Sequence, residues 1–303
     1  MQKRVLGKTG LEVSAIGFGT AELGFKAIPI NQCDEVLNTV LDSGINLIDT
    51  ASCYMDSEEK IGMCISQRHD DYILVTKAGH NKGAGTESDW SADSINECVE
   101  KSLSHLKIDY IDVLMIHSCP LEFLRREELI GAMLENKQAG KTRFIGYSGD
   151  DKAAEYAVKM DVFDCIECSV NICDQQALSL FLPQAEKKGL GVFAKRPIAN
   201  ACWKDKDAMG EFYYQYAQSY VDRLGKMGFT PESLGFEGEW AELALRFTAF
   251  AKGVHCAIIG SADPEHIKEN IAAVEKGPLP ENINKAIKNA WQENDDGNWI
   301  GMV

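Results

Sequence analysis

The chain has 303 residues, of which 45% are hydrophobic and 25% charged, and this composition is typical of a globular protein. A formal net charge of −15 argues against nucleic acid and anionic membrane surfaces as partners, because like charges repel. No segment is apolar and long enough for a signal peptide or a membrane span, so we expect a cytoplasmic protein with no membrane partner.

Short β-rich runs alternate with longer stretches of helical period, and such alternation is typical of parallel strands joined by helices. A hairpin is predicted first, around Gly7-Lys8-Thr9-Gly10. Eight strands are then predicted, at residues 15–18, 46–48, 72–75, 111–116, 143–147, 164–169, 191–194 and 255–259. This order predicts an α/β fold, a (β/α)8 TIM barrel formed by residues 1–303 as a single domain.

The segment of residues 201–240 interrupts this spacing, because it separates the seventh strand from its helix by far more than a usual short connection. We predict an insertion at the barrel mouth. Its Tyr213, Tyr216 and Tyr220 follow helical spacing, which predicts packing against the barrel, with closure over a substrate as the alternative. The choice of substrate is expected to depend on this insertion and on the mouth loop at residues 81–89.

Ten cysteines are spread along the chain, many in apolar segments, and we interpret them as reduced core residues. One stretch reads Cys165-Ile166-Glu167-Cys168, so a redox or zinc role is an alternative there. The stretch is a predicted strand, in which residues three apart point to opposite faces, and no second Cys/His pair follows at zinc spacing. Core packing without a bound metal is therefore the prediction.

Three predicted strands end in the same way, with an apolar run followed at once by a polar residue. These polar residues are Asp49, Lys77 and His117. The corresponding strand ends converge on one face of a barrel, where active sites of this fold are built. Each residue alone fits a helix cap, a solvated lysine or a hydrogen-bonded histidine. Together, and with Tyr54 shortly after Asp49, they predict a site for proton transfer.

Each of the four side chains has its own expected role in the proton transfer. A tyrosine phenol has a pKa near 10, so its anion needs stabilisation before it acts as an acid at neutral pH. We expect the Lys77 ammonium to lower the pKa of Tyr54, and Asp49 to keep Lys77 charged. His117 is expected to hydrogen-bond a carbonyl oxygen and to fix its direction.

The sequence resembles the aldo-keto reductase family over nearly its whole length. The motifs occur in family order: Gly17-Phe18-Gly19-Thr20, Ile48-Asp49-Thr50-Ala51 with Tyr54, Glu58-Glu59-Lys60-Ile61-Gly62, Val75-Thr76-Lys77 and Leu114-Met115-Ile116-His117. The resemblance implies a barrel with an N-terminal hairpin plug, and hydride transfer from NADPH to a small aldehyde or ketone. It also implies a catalytic tetrad with Tyr54 as general acid, and its members are Asp49, Tyr54, Lys77 and His117.

Later motifs resemble the cofactor contacts of the same family, with several departures. Glu167 stands where a Gln is customary, and Lys195 where an aromatic ring often stacks on the nicotinamide. Gly260 and His266 stand where many relatives have Lys or Arg for the 2′-phosphate. The resemblance implies NADP(H) as the preferred cofactor, and the departures leave NAD(H) as the alternative. The implied contacts are Gly19, Thr20, Asp49, Ser148, Glu167, Lys195, Arg196, Ile198, Gly260, Ser261, His266, Glu269 and Asn270.

Two other functions fit the same barrel. The first is an isomerase or aldolase in which Lys77 forms a Schiff base with the substrate. The second is a regulatory subunit that binds the cofactor with little turnover, like the channel-associated relatives of this family. The sequence alone does not predict the oligomeric state.

Overall fold

The structure, a computed structural model, describes residues 1–80 and 90–302. The predicted mouth loop at residues 81–89 therefore lies outside the described residues. Within the described ranges, strands and helices alternate in the predicted order. No helix in these ranges is both long and apolar enough to cross a membrane.

A hairpin of two short antiparallel strands opens the chain, and eight parallel strands follow that close into a barrel. The hairpin strands are β1 (Lys3–Val5) and β2 (Glu12–Ser14). The barrel strands are β3 (Ile16–Gly19), β4 (Leu47–Asp49), β5 (Ile73–Ala78), β6 (Ile111–His117), β7 (Thr142–Ser148), β8 (Cys165–Ser169), β9 (Gly191–Lys195) and β10 (Cys256–Ile259). Each strand pairs with the next, and β10 closes on β3. The predicted (β/α)8 barrel is confirmed.

The largest difference from the predicted strand limits is at β5, which was expected to end at Val75. The strand continues through Lys77 to Ala78, because these residues still pair with β6, as far as Ala78 beside Ile116. The polar residues near its end are fully buried, and a pattern of apolar residues does not detect buried polar positions. Lys77 thus lies inside the strand rather than after it.

The helices cover the outside of the barrel with their apolar faces. Two of them begin at residues whose side chains cap the first turn. The side chain of Ser91 accepts a hydrogen bond from the backbone N–H of Ser94, and Asp263 accepts one from Glu265. The helices are α1 (Ala21–Phe25), α2 (Ile30–Asp42), α3 (Ser57–Cys64), α4 (Ala92–Leu106), α5 (Leu121–Leu124), α6 (Glu127–Gln138), α7 (Asp151–Lys159), α8 (Gln176–Leu180), α9 (Leu182–Lys187), α10 (Lys206–Met209), α11 (Glu211–Met227), α12 (Trp240–Ala249), α13 (Pro264–Glu275) and α14 (Glu281–Asn294).

The hairpin closes the N-terminal end of the barrel. Leu6, Leu11 and Val13 are buried in one cluster with residues that fill the barrel interior, such as Val113 and Phe193. The plug that the resemblance implied is therefore present. It leaves the opposite end, formed by the carboxyl ends of the strands, as the open mouth.

The inserted segment 201–240 contains α10 and α11, and only one of its three tyrosines packs as predicted. Tyr220 is fully buried, and its hydroxyl donates to Asp174 at 2.8 Å. The packing prediction is wrong for Tyr213 and Tyr216, which are 40% and 43% exposed and line the cavity at the mouth. The reason is the orientation of α11. The side of this helix that carries Tyr220 faces the core, and the side that carries Tyr213 and Tyr216 faces the mouth.

The two cysteines of β8 pack in the core, as predicted. Cys165 belongs to the cluster inside the barrel, and Cys168 belongs to the layer between the barrel and its helices, so the two point to opposite faces. All ten cysteines are buried free thiols. In the described part of the chain, no three His, Cys, Asp or Glu side chains are grouped so that they could hold a metal ion.

Candidate active site

Parallel pairing brings the predicted catalytic residues together at the mouth. Asp49 ends β4 beside Val75 of β5, Lys77 of β5 lies beside Met115 of β6, and His117 ends β6. Tyr54 lies in the connection between β4 and α3. Four residues that are distant in sequence therefore surround one end of three adjacent strands, as expected for this fold.

Lys77 is the buried centre of the cluster, with no exposed surface. Its ammonium is 2.6 Å from Asp49 Oδ1 and donates to the carbonyl oxygen of Thr50 at 3.0 Å. A second carboxylate, Glu167 Oε2, lies 3.4 Å from the same nitrogen. Both carboxylates are buried as well, at 5% and 3% exposure. One ammonium is thus shared by two acids.

Burial and charge pull the pKa values of this cluster in opposite directions. Burial disfavours the charged form of Lys77, but Asp49 and Glu167 outweigh it and raise the pKa of the ammonium. Burial and the neighbouring Glu167 raise the pKa of Asp49 well above its usual range. Burial also opposes the ionisation of Glu167, but Lys77 and Lys195 outweigh it and lower the pKa of this carboxyl. Lys77 therefore stays charged.

Tyr54 and His117 lie side by side above this cluster. Their ring centroids are 5.9 Å apart in an edge-on arrangement, and Lys77 Nζ lies 5.5 Å from the Tyr54 ring centroid. The net pKa shift of Tyr54 is upward, because burial and the charges of Asp49 and Glu167 outweigh Lys77. The expected lowering is therefore wrong in direction. The phenol keeps its proton at neutral pH.

His117 is held as a neutral imidazole. Burial, and then the positive charge of Lys77, lower the pKa of His117 well below its usual value. The ring atom Nδ1 lies 3.4 Å from Cys53 Sγ. The backbone carbonyl of His117 accepts a hydrogen bond from Trp90 Nε1 at 2.9 Å and is 3.1 Å from His80 Nε2. These contacts fix the position of the ring at the strand end.

A cavity of about 390 Å³ opens above Tyr54 and His117 at the mouth. Eight of the thirteen predicted cofactor contacts line it: Gly19, Asp49, Ser148, Glu167, Lys195, Arg196, Ile198 and Gly260. Lys77 lies below its floor and is not part of the lining. Half of the remaining lining comes from α1 and from the insertion, and it includes Tyr213 and Tyr216. The cavity therefore joins the predicted catalytic residues to most of the predicted cofactor contacts.

The other five predicted contacts do not line this cavity. Thr20 is buried beneath it, and its hydroxyl donates to the backbone oxygen of Asp49 at 3.0 Å. Ser261 and His266 lie beyond the rim at the start of α13, where Ser261 Oγ is 3.3 Å from His266 Nδ1. The two remaining residues, Glu269 and Asn270, are further along α13.

Asp150 is a residue of the mouth that the sequence-based reasoning missed. It is 4% exposed, and its carboxylate lies 3.0 Å from Lys195 Nζ and accepts hydrogen bonds from the backbone and side chain of Ser169. This ion pair holds the Lys195 ammonium at the wall of the cavity. Asp150 follows β7 closely, so the signal that identified Asp49 also applies to Asp150.

A strained turn is a second feature that was missed. Ala199, Asn200 and Ala201 have φ angles of 46°, 51° and 53°, in the left-handed region that costs about 1–2 kcal/mol per residue. Asn200 lines the cavity, and its buried Nδ2 has no hydrogen-bond partner within the described residues. Strain of this kind concentrates at functional sites. Asn200 is of a type that adopts this region more readily than most, but the two alanines beside it give no such signal.

Comparison with known proteins agrees with this geometry. The model of the aldo/keto reductase family matches residues 15–292. The chain is 31% identical to the uncharacterized oxidoreductase YqkF of Bacillus subtilis (strain 168), over 95% of this chain and 96% of that protein. It is 28% identical to the NADH-specific methylglyoxal reductase of Escherichia coli (strain K12), over 90% of this chain and 94% of that protein.

A solved structure has the same fold. The aldo-keto reductase AKR11C1 from Bacillus halodurans, in its holo form, superposes with a TM-score of 0.81 at 29% identity, and the match covers 96% of each chain. The barrel, its mouth and these relatives define an NAD(P)H-dependent oxidoreductase. The chain belongs to the aldo/keto reductase family, as its motifs predicted.

Proposed function

We propose that this protein reduces the carbonyl group of a small aldehyde or ketone to an alcohol, with NADPH as hydride donor and Tyr54 as general acid. The observation that carries the proposal is the pairing of a protonated Tyr54 with a neutral His117 on the mouth cavity, above the buried Lys77. A phenol and an imidazole side by side suit a carbonyl oxygen that gains negative charge.

The residues at the mouth fit a nicotinamide cofactor. Glu167 Oε2 is buried and accepts no hydrogen bond in the described structure, so an acceptor is available for the amide of a nicotinamide. Ser148 Oγ donates to the other oxygen of Glu167 at 2.9 Å and fixes its orientation. Ser148 and Glu167 would hold the carboxamide, while Ile198 and Gly260 lead towards α13. When bound, the cofactor supplies a hydride to the substrate carbon.

The chain's own residues would handle the proton. Tyr54 carries it, because the pKa of the phenol is raised, and would donate it to the carbonyl oxygen. His117 would orient that oxygen, since Nδ1 faces Cys53 and leaves Nε2 for the substrate. Lys77 would stabilise the phenolate that remains, because its ammonium is kept charged by Asp49.

The expected result of the first experiment is oxidation of NADPH with at least some members of a panel of small aldehydes and ketones. The Tyr54→Phe variant should lose activity at least about 100-fold in kcat, because a general acid contributes on that scale. Its affinity for NADPH, measured by calorimetric titration, should stay close to that of the unmodified protein. Tyr156→Phe, on the outer helix α7, is the matched control. Full turnover in Tyr54→Phe would contradict the mechanism.

The choice of NADP(H) rests on the start of α13. Ser261 and His266 offer donors for a 2′-phosphate at the N-terminal turn, which Asp263 caps. Lys268 is 2.6 Å from Glu265, so its charge is already paired. NAD(H) is the alternative for this reason, and the similar protein of Escherichia coli is NADH-specific by name.

Parallel assays with NADPH and NADH test the cofactor. The His266→Arg variant should raise the ratio of kcat/KM for NADPH over NADH, because an Arg guanidinium is always charged and can donate two parallel hydrogen bonds to a phosphate. A ratio that does not move in His266→Arg would show that the 2′-phosphate does not bind at this turn.

The Schiff-base alternative is disfavoured by the surroundings of Lys77. A Schiff base needs a neutral, accessible amine. Lys77 has no exposed surface, and Asp49 and Glu167 raise the pKa of its ammonium, so the amine stays protonated. Cofactor binding without turnover on any carbonyl in the panel would instead favour the regulatory role.

A further inference from the structure

Glu167 is a buried carboxylate placed directly on the cavity where the reaction is proposed to occur. It lines the cavity with Tyr54 and His117 and is 3% exposed. One oxygen accepts from Ser148, and the other accepts no hydrogen bond in the described structure. The oxygen without a hydrogen bond, Oε2, lies 3.4 Å from the Lys77 ammonium, so Glu167 brings a paired but charged group to the cavity wall.

The charges around Glu167 balance in number only when its own carboxylate is counted. Lys77 on β5 is the nearest cation, at 3.4 Å, but the same ammonium is closer to Asp49 on β4, at 2.6 Å. Lys195 on β9 pairs with Asp150 at 3.0 Å, and the next residue, Arg196, lines the cavity and lies 3.9 Å from the same carboxylate. Three cations thus face three carboxylates. Without the charge of Glu167, the floor of the cavity would carry an excess of positive charge.

We propose that Glu167 makes this site discriminate between the two redox forms of the nicotinamide, binding the oxidised, cationic form more tightly than the reduced, neutral form. The inference rests on the proposed function and goes beyond it, because it assigns a role to a charge that a Gln lacks. A carboxylate in a buried site stabilises a nearby positive charge far more than it does in water. The same carboxylate favours departure of a hydride, because positive charge then develops beside it.

Calorimetric titration tests the inference without any measurement of turnover. The Kd values of NADP+ and NADPH, and in parallel those of NAD+ and NADH, are measured for the unmodified protein and for Glu167→Gln. Gln keeps the shape of the side chain and its acceptor for Ser148, but removes the charge. We expect the ratio of Kd for the oxidised form to Kd for the reduced form to rise about tenfold in Glu167→Gln, which is the scale of one partly screened charge pair.

Two further variants test whether the effect comes from the charge of Glu167 itself. One changes the length of the side chain, and the other removes a different carboxylate near the cavity. Glu167→Asp shortens the side chain but keeps the charge, so its ratio should stay closer to that of the unmodified protein than to that of Glu167→Gln. Glu22→Gln removes a carboxylate from the rim of the same cavity, where it is paired with Lys26 and 34% exposed, so its ratio should change little.

Three outcomes would overturn the inference. An unchanged ratio in Glu167→Gln, or an equal loss of affinity for both redox forms, would show that the charge of Glu167 does not discriminate between them. An equal rise of the ratio in Glu22→Gln would show that any carboxylate near the mouth has the same effect. No binding of either form by the unmodified protein would overturn the proposed function together with this inference.

Discussion

Lys77 carries a full positive charge inside the protein, and the stability of the site depends on how that charge is compensated. The ammonium lies 2.6 Å from Asp49 and 3.4 Å from Glu167, and all three side chains are buried. A buried charge whose partner is removed is strongly destabilising, because neither water nor an opposite charge compensates it. The site therefore tolerates changes of shape better than changes of charge.

Replacing Lys77 by Met should lower the free energy of unfolding by about 3–5 kcal/mol near pH 8, because it leaves two buried carboxylates unpaired. The deficit should shrink as the pH falls, since Asp49 and Glu167 then take up protons. Urea denaturation at several pH values measures both effects. The control is Lys268→Met, which removes an exposed lysine paired with Glu265 and should change stability little. Similar losses in the two variants would contradict the burial argument.

At the scale of elements, the N-terminal hairpin is too short to be stable alone. Its strands have three residues each, and an isolated two-stranded hairpin is marginal in water. Its stability comes from the barrel, because Leu6, Leu11 and Val13 are buried against the residues inside it. The plug and the barrel interior are therefore parts of one core.

The Leu6→Ala variant should lower the free energy of unfolding by about 2–5 kcal/mol, because it leaves a cavity at the closed end of the barrel. Val5→Ala is the matched control, since Val5 is the adjacent residue and is 55% exposed. Urea denaturation of both variants gives the comparison. Equal stabilities of the two variants would mean that the hairpin does not share the barrel core.

At the scale of the whole molecule, the insertion is joined to the barrel by a cluster of its own. Tyr220 and Leu224 of α11 are buried together with Phe247 of α12 and Ile287 of α14. Four tryptophans belong to this cluster or pack against it, and they are Trp203, Trp240, Trp291 and Trp299. Trp203 stacks on Trp240 with 5.5 Å between ring centroids. We infer that the insertion and the barrel form a single domain.

A single domain predicts one cooperative unfolding transition. Tryptophan fluorescence reports mainly on the cluster around the insertion, whereas far-ultraviolet circular dichroism reports on the strands and helices of the barrel. The two signals should follow coincident curves in urea, because α11 of the insertion shares one buried cluster with α12 and α14. A fluorescence transition at clearly lower urea than the dichroism transition would show that the insertion unfolds as a separate unit.

The number and order of the barrel strands were predictable from the sequence. Apolar periodicity is a local property, so it identified each strand to within a few residues, apart from the polar end of β5. The meeting of the proposed catalytic residues at the mouth was predictable for a related reason. Asp49, Lys77 and His117 end apolar runs, and a barrel brings all such ends to one face. Asp150 follows the same rule and was missed, although the signal was present.

The electrostatics of the site were decided by the tertiary structure alone. The sequence places Tyr54 near Lys77, which predicted a lowered pKa for the phenol. In the folded chain Tyr54 is buried and lies near a second carboxylate, Glu167 from β8. Both effects raise the pKa of the phenol instead. Charges act through space and burial depends on the whole fold, so local sequence does not determine the sign of a pKa shift. The sequence by itself determined that the four proposed catalytic side chains meet at the mouth, and only the fold decided how their charges balance.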